Sequence, residues 1–408
     1  MQEVTGTMGR ILGWGAFLAC SWTWCIGMWL PAILMRDYGP LSFILFALPN
    51  CIGAAGMGIL LKHPGRSDRI TELHAGACAA FSGVTNAFQW FFAAWLLSPG
   101  EPGGLLAPMA AALVAGVAYV GLRRNPRVAR LSLVVWIASL LLLGYGIFGI
   151  EHPVPGPPPS TDLQGLAFLF PVIAFGFLLC PYLDRTFHRA RRALPGDAGN
   201  SAFVIGFMAL FWMMIFGTWF YAQPAITTSL TSGLPLAPSL LAWPVLLHIG
   251  MQLGFTIAAH HASVPGEEPS RRFEGGILLL AAPIGVLAAW IAPHLALGSY
   301  SGGEVVYRLF MGFYGLIFPA YVWLCVIPRS GPVRRPSPRS LLVFVGAVLA
   351  AGPCFVLGFL MDQEAFLAPG LGIVLLARLL IPATPAPRAH ELRLTEPTPA
   401  RTDQGSLA

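Results

Sequence analysis

The sequence predicts an all-α polytopic membrane protein of about twelve transmembrane helices: two halves of five, then two more. Three observations lead there. The 408-residue chain is 56% hydrophobic and only 10% charged, with a mean hydropathy of +0.70. Its apolar residues gather into twelve stretches, near 9–35, 41–61, 73–98, 105–122, 131–150, 163–183, 201–222, 238–261, 275–293, 304–327, 340–360 and 365–381. Each approaches the roughly 20 residues that a helix needs to cross a hydrocarbon core. Charge placement gives the third, independent test. With the N-terminus in the cytoplasm, 22 of the 24 Lys and Arg residues fall on the cytoplasmic side, and only Arg36 and Arg308 fall outside. A miscounted span would invert every later loop and destroy that bias.

The net charge of +6 therefore reports membrane orientation, and no nucleic-acid partner is expected. The location expected is a bacterial inner membrane, with both termini cytoplasmic and lipid as the surroundings. The Arg-rich composition, with Lys62 as the single lysine, agrees with a GC-rich bacterial source. The first apolar stretch is too long for a cleavable signal peptide and lacks a small-residue cleavage site.

Residues 1–327 read as a ten-helix core with halves at about 9–150 and 163–327. Segment one is interrupted at Ser21-Trp22-Thr23-Trp24-Cys25-Ile26-Gly27, followed by Pro31. Segment three carries two amides at mid-depth, Asn86 and Gln89. The Pro-rich stretch 152–159 after segment five is a stiff joint between the halves. Segment six is expected to break between Pro171 and Pro181, around Phe175 and Gly176. Interruptions of this kind free backbone groups that lipid cannot satisfy, so they belong inside protein or around a cavity. At matching positions in two halves, they point to the central site of a secondary transporter.

Asp184 and Arg185 close segment six and begin a basic cluster; a carboxylate beside an arginine there would suit an inner gate. Segment eight carries His248, Gln252, Thr256 and His260 at strict i, i+4 spacing, one stripe over three turns. Such a stripe faces protein or water. It reads as a cavity wall or a proton relay, against the plainer reading of interhelical hydrogen bonding. Glu304 and Arg308 lie one turn apart at the outer end of segment ten, as a structural ion pair or an outer gate. Residues 340–381 add two helices, and 382–408 read as a disordered cytoplasmic tail.

The seven cysteines lie in or near apolar spans with no CxxC pair, so neither a disulfide framework nor a metal site is expected;. No nucleotide-binding, zinc-protease or serine-hydrolase motif occurs, so the chain is not expected to be an enzyme or a primary pump.

Segments one and six resemble those of the sodium/solute symporter family, whose fold is of the LeuT type. Ser21 stands six positions before Gly27, as in that family's first core helix. The stretch from Tyr182 to Arg191 is similar to the junction after its sixth core helix, with Arg185 at the junction's Arg and Asp184 where Gln is usual. The resemblance implies five-plus-five inverted helices, the first of each five broken. It also implies a sodium site with adjacent hydroxyls on the eighth helix. The stretch 256–263 has no such pair, so sodium coupling is doubtful, and proton coupling, or no coupling, is at least as suitable.

The function expected is secondary transport of a small neutral or zwitterionic organic solute, without cofactor, around broken helices one and six. Ser21, Thr23, Trp24 and Gly27 would line the site with Asn86, Gln89, Phe175, Gly176, Gln252 and Thr256. The gate and relay candidates are His248, His260, Asp184, Arg185, Glu304 and Arg308. The alternatives are a non-transporting membrane sensor or assembly partner, and, further off, a membrane-embedded enzyme using the histidine stripe. Oligomeric state is not legible.

Overall fold

The structure is a computed structural model that describes residues 2–22, 25–63, 65–97, 106–148, 160–221, 242–263, 268–329 and 331–382. The Pro-rich joint, the whole of residues 222–241, nearly all of the tail, and the site candidates Thr23 and Trp24 lie outside the described residues. Among the described residues there is no β-strand, only an isolated bridge between Leu297 and Tyr300.

The helices are α1 (Gln2–Trp22), α2 (Cys25–Tyr38), α3 (Leu41–Leu60), α4 (Arg66–Leu73), α5 (Ala75–Leu97), α6 (Leu106–Leu122), α7 (Val128–Phe148) and α8 (Leu163–Leu179). There follow α9 (Arg185–Ala193), α10 (Gly196–Ile205), α11 (Trp212–Tyr221), α12 (Ala242–His261) and α13 (Glu268–Ile291). The last are α14 (Gly302–Gly312), α15 (Phe318–Tyr321), α16 (Pro338–Leu360) and α17 (Leu367–Ala377). Every apolar stretch in the sequence contains helix.

Among the described residues, seven helical segments are long and apolar enough to cross a membrane, and α1 with α2 form an eighth if the bent pair is one span. α5 is long enough, but Ser82, Thr85, Asn86 and Gln89 lower its hydropathy. The outward surface is apolar: Leu113, Leu141, Leu279, Trp290 and Leu342 are each about 70% exposed, from 69% to 75%. A face of this kind is unstable in water and suits lipid. The protein is an all-α, multi-pass membrane protein.

α1 runs through the middle of the bundle, where Phe17, Leu18, Ala19 and Cys20 are fully buried. It packs on α7, on α10 and on the π-helical turn Gly206–Phe211 that joins α10 to α11. The most extensive pairings are α13 on α5 and α12 on α6, followed by α1 on α7, α16 on α17 and α3 on α8. Small residues make the closest of these possible. A Cβ at Gly254 would lie 2.3 Å from the Ala115 carbonyl oxygen, and one at Gly250 would lie 2.7 Å from that of Ala111. Two glycines four apart on α12 therefore face two alanines four apart on α6.

Two chain interruptions matter for the site. The axes of Gly6–Trp22 and Cys25–Tyr38 differ by 58°, so the first predicted break is present. The second is displaced. α8 continues unbroken through Pro171, Phe175 and Gly176, so the interruption expected around Phe175 and Gly176 lies further along the chain. It ends at Leu179, passes through the 3-10 turn Cys180–Leu183, and restarts as α9 after an extended Asp184 (φ −80°, ψ 109°). Asp184 sets the restart: its carboxylate accepts from the Thr186 backbone N–H at 2.8 Å, a side-chain N-cap;.

Candidate functional site

The two interruptions meet. Trp22 and Gly27 from the bend in the first span, and Cys180 from the turn after α8, line one small void together with Asn50, Phe177 and Tyr314. Its volume is about 10 Å³, room for at most one water;. The surrounding polar groups are paired. Trp22 Nε1 donates to Asn50 Oδ1 at 2.6 Å. Tyr307 Oη donates to the carbonyl of Cys25, the first residue of α2, at 3.0 Å. Tyr314 Oη and Thr85 Oγ1 are 2.9 Å apart. The backbone exposed by the bend is thus partly satisfied from the tenth apolar stretch, as a membrane interior requires.

A larger cavity, about 70 Å³, lies beside α2, and Phe177 and Tyr314 are common to both. Leu30, Ile33 and Leu34 of α2 form one wall, and Leu169, Val172 and Ile173 of α8 another. Tyr314 and Gly315, in the π-helical turn Phe313–Ile317, form a third. Turns of this type recur at functional sites. Gly358 and Phe359 of α16 also line it. Asp37 and Arg308 supply the only charges in the lining.

These charges belong to a four-residue network. Arg36 grips Glu304 with two hydrogen bonds, 2.9 and 2.6 Å, and its Nε donates to Asp37 at 2.6 Å. Arg308 donates to Asp37 at 2.6 Å and to Glu304 at 2.9 and 3.0 Å. Arg36 and Arg308, the two basic residues that the charge count placed outside, are therefore brought together around two carboxylates. The Glu304–Arg308 pair was legible as an i, i+4 spacing. Its partners Arg36 and Asp37 lie far off in sequence and were missed as site residues.

At the opposite end of α1, polar side chains are buried around α9. Arg185 donates to the Ala75 carbonyl at 2.8 Å. Arg191 donates to Asn200 Oδ1 at 2.9 Å and to the Gly196 carbonyl at 2.7 Å. His188 is held at both nitrogens: Nδ1 lies 2.7 Å from Ser67 Oγ, and Nε2 lies 3.0 Å from the Tyr182 carbonyl. Burial pushes its pKa down to about 4, so the imidazole is neutral;. Asp184 caps α9 and also accepts from Thr186 Oγ1 at 2.7 Å, so its carboxylate serves the helix start.

The remaining sequence candidates are scattered. Of those described, only Gly27 and Gly176 line the cavities beside α2. Ser21 Oγ donates to its own helix, at Leu18 O, 3.0 Å. Phe175 stands against Trp323, ring centres 6.4 Å apart, away from the cavity. Asn86 donates to Ser82 O at 2.7 Å, and Gln89 donates to Thr256 Oγ1 at 3.1 Å. The stripe on α12 hydrogen-bonds to neighbouring helices and lines neither of these two voids. His248 Nε2 lies 2.9 Å from Met28 Sδ, Gln252 donates to Ser139 at 2.6 Å, and His260 Nδ1 lies 3.0 Å from Ser82 Oγ. Among the described residues no cluster of His, Cys, Asp or Glu suits a metal ion.

No protein-family model matches this chain, and no curated protein matches it.

Proposed function

We propose that the protein is a secondary transporter of a small neutral or zwitterionic organic solute. The observation that carries this reading is the apolar cavity beside the bent first span, where the interruption after α8 meets that bend. Helix interruptions at a buried cavity are the usual architecture of transporter sites. The lining favours a solute with an apolar part, and the pair Asp37 and Arg308 at one end suits a neutral or zwitterionic group.

A twelve-span, LeuT-type arrangement has two supports. All twelve apolar stretches contain helix; the first is bent in its middle, and the sixth is followed at its end by the interruption at Asp184. The closest pairings also repeat after a shift of five spans: α5 on α13 pairs the third with the ninth, and α12 on α6 pairs the eighth with the fourth. We place the Arg36 end outside and the α9 end in the cytoplasm, following the distribution of basic residues. Thr256 is hydrogen-bonded to Gln89 and has no adjacent hydroxyl partner, so coupling to a proton suits the site better than coupling to sodium.

Uptake into proteoliposomes tests the proposal. A solute panel is offered under an imposed proton gradient, an imposed sodium gradient, or neither. Solute accumulation dependent on the proton gradient is expected; no accumulation or counterflow of any solute would defeat it. A sensor is the second reading, favoured by the small cavity and by the polar side chains packed at both ends. It predicts saturable solute binding with no counterflow.

A further inference from the structure

We propose that the connection between α16 and α17 is the bolt of a gate at the Arg36 end of the cavity, a proposal that rests on reading the cavity as a solute site. The gate has two leaves. One is the end of α2, with Arg36, Asp37 and Tyr38. The other is the start of α14, with Glu304 and Arg308, together with Tyr300 just before it.

The barrier between cavity and surroundings is thin. Beyond the network lies an open depression of about 480 Å³ whose lining includes Arg36, Asp162, Asp362 and Glu364. Asp37 and Tyr38 line both this depression and the apolar cavity, so one layer of side chains separates them. Arg36 and Asp37 retain 19% and 20% side-chain exposure, while Glu304 retains 2%. The layer contains two positive and two negative charges. Its outer members, Arg36 and Asp37, are partly exposed, so water can replace their partners as the leaves part;.

The bolt touches both leaves. Tyr38 Oη donates to Glu364 at 2.7 Å, and Tyr300 Oη donates to Asp362 in a short contact. Arg308 donates to the Phe359 carbonyl at 3.0 Å, and its guanidinium stacks 3.9 Å from the Tyr300 ring centre. Asp362 has a positive φ of 51°, a conformation that Asp tolerates better than most residues;. One short connection thus ties Tyr38 to Tyr300, while Phe359, at the end of α16, anchors Arg308 and lines the cavity. The helices after the tenth span are on this view part of the gate.

Leu34, buried in the cavity wall, reports opening. In nanodiscs, Leu34→Cys is exposed to a membrane-impermeant maleimide, and labelling at position 34 is followed by peptide mass spectrometry, which separates it from the native cysteines. Two variants release the bolt from opposite sides: Asp362→Gly with Glu364→Ala, and Tyr38→Phe with Tyr300→Phe. Both are expected to label at least about tenfold faster than the parent, with unfolding temperature held as a control for global loosening. Unchanged rates in both pairs, or a parent that labels as fast as denatured protein, overturn the gate. Faster labelling without solute uptake by the parent protein retains the gate and removes the transport reading.

Discussion

Gly176 and Gly27 make a paired test of how the cavity is walled. Both line voids beside α2, but their surroundings differ. A Cβ at Gly176 would lie 2.6 Å from the Tyr314 carbonyl oxygen, whereas one at Gly27 would meet the Phe211 ring at 3.6 Å, an ordinary contact. The Tyr314 oxygen is backbone inside a π-helical turn, so it has no rotamer with which to yield. Gly176→Ala must therefore push α8 away from that turn by roughly 0.8 Å to restore normal contact, with an overpacking cost of about 1–3 kcal/mol. The alanine recovers about 1 kcal/mol of helix propensity. The net expectation is a loss of up to about 2 kcal/mol for Gly176→Ala, against a change near zero or a gain of about 0.5 kcal/mol for Gly27→Ala. Denaturant unfolding in detergent, followed by tryptophan fluorescence, measures both. Because the shift also alters the wall, solute uptake should fall in Gly176→Ala and persist in Gly27→Ala. Equal stabilities, or the reverse order, would refute the close approach of α8 to the tenth span.

Gly254→Ala should destabilise by about 1–3 kcal/mol because it overpacks the α12–α6 contact, while Gly56→Ala, with nothing within 4 Å, should not; unfolding of the two variants side by side checks this. Asn50→Ala should cost about 1–3 kcal/mol by leaving the Trp22 N–H unpaired. The double variant Trp22→Phe with Asn50→Leu should recover much of the hydrogen-bond part, and a double-mutant cycle that shows no coupling would contradict that bond. His188 falls from an ordinary pKa of 6.5 to about 4 on folding, so the unfolded chain binds more protons between those values. Its stabilisation is complete above pH 6.5 and is lost as pH falls toward 4, by about 3 kcal/mol. His188→Gln should flatten the pH dependence of stability over that window; an unchanged slope would show that His188 does not cause it.

Helix positions were legible because length and apolarity suffice to specify a helix in lipid, where every backbone group must be satisfied within the segment. The bend after Trp22 was legible from its polar-aromatic cluster. The interruption after α8 was misplaced because proline was read as a breaker. In a packed bundle Pro171 is tolerated, while the N-cap Asp184 determines where the next helix begins. That signal was present in the sequence, as a capping residue before a basic helical run. The α12 stripe shows what periodicity cannot tell. It fixes the common face of His248, Gln252, Thr256 and His260, but their partners lie on α2, α5 and α7. Asn50 and Tyr314 had no local signature at all, since Asn50 meets Trp22 across 28 positions and Tyr314 meets Thr85 across 229.

The charge network also bears on how the chain enters the membrane. Arg36 is followed at once by Asp37, and Arg308 lies one turn after Glu304, so each arginine travels with its own counter-ion. On the orientation proposed, each of these spans delivers its charged tip across the bilayer as a neutral pair, which lowers the penalty that normally keeps arginine on the near side. The bonds from Arg36 to Glu304, 268 positions apart, form only when the tenth span has joined the first. Two locally neutral pairs thus become one shared assembly, in which each local pair is kept and the bonds between the spans are added. A substitution at any one of the four positions would burden insertion and final assembly separately, at different times in the life of the chain.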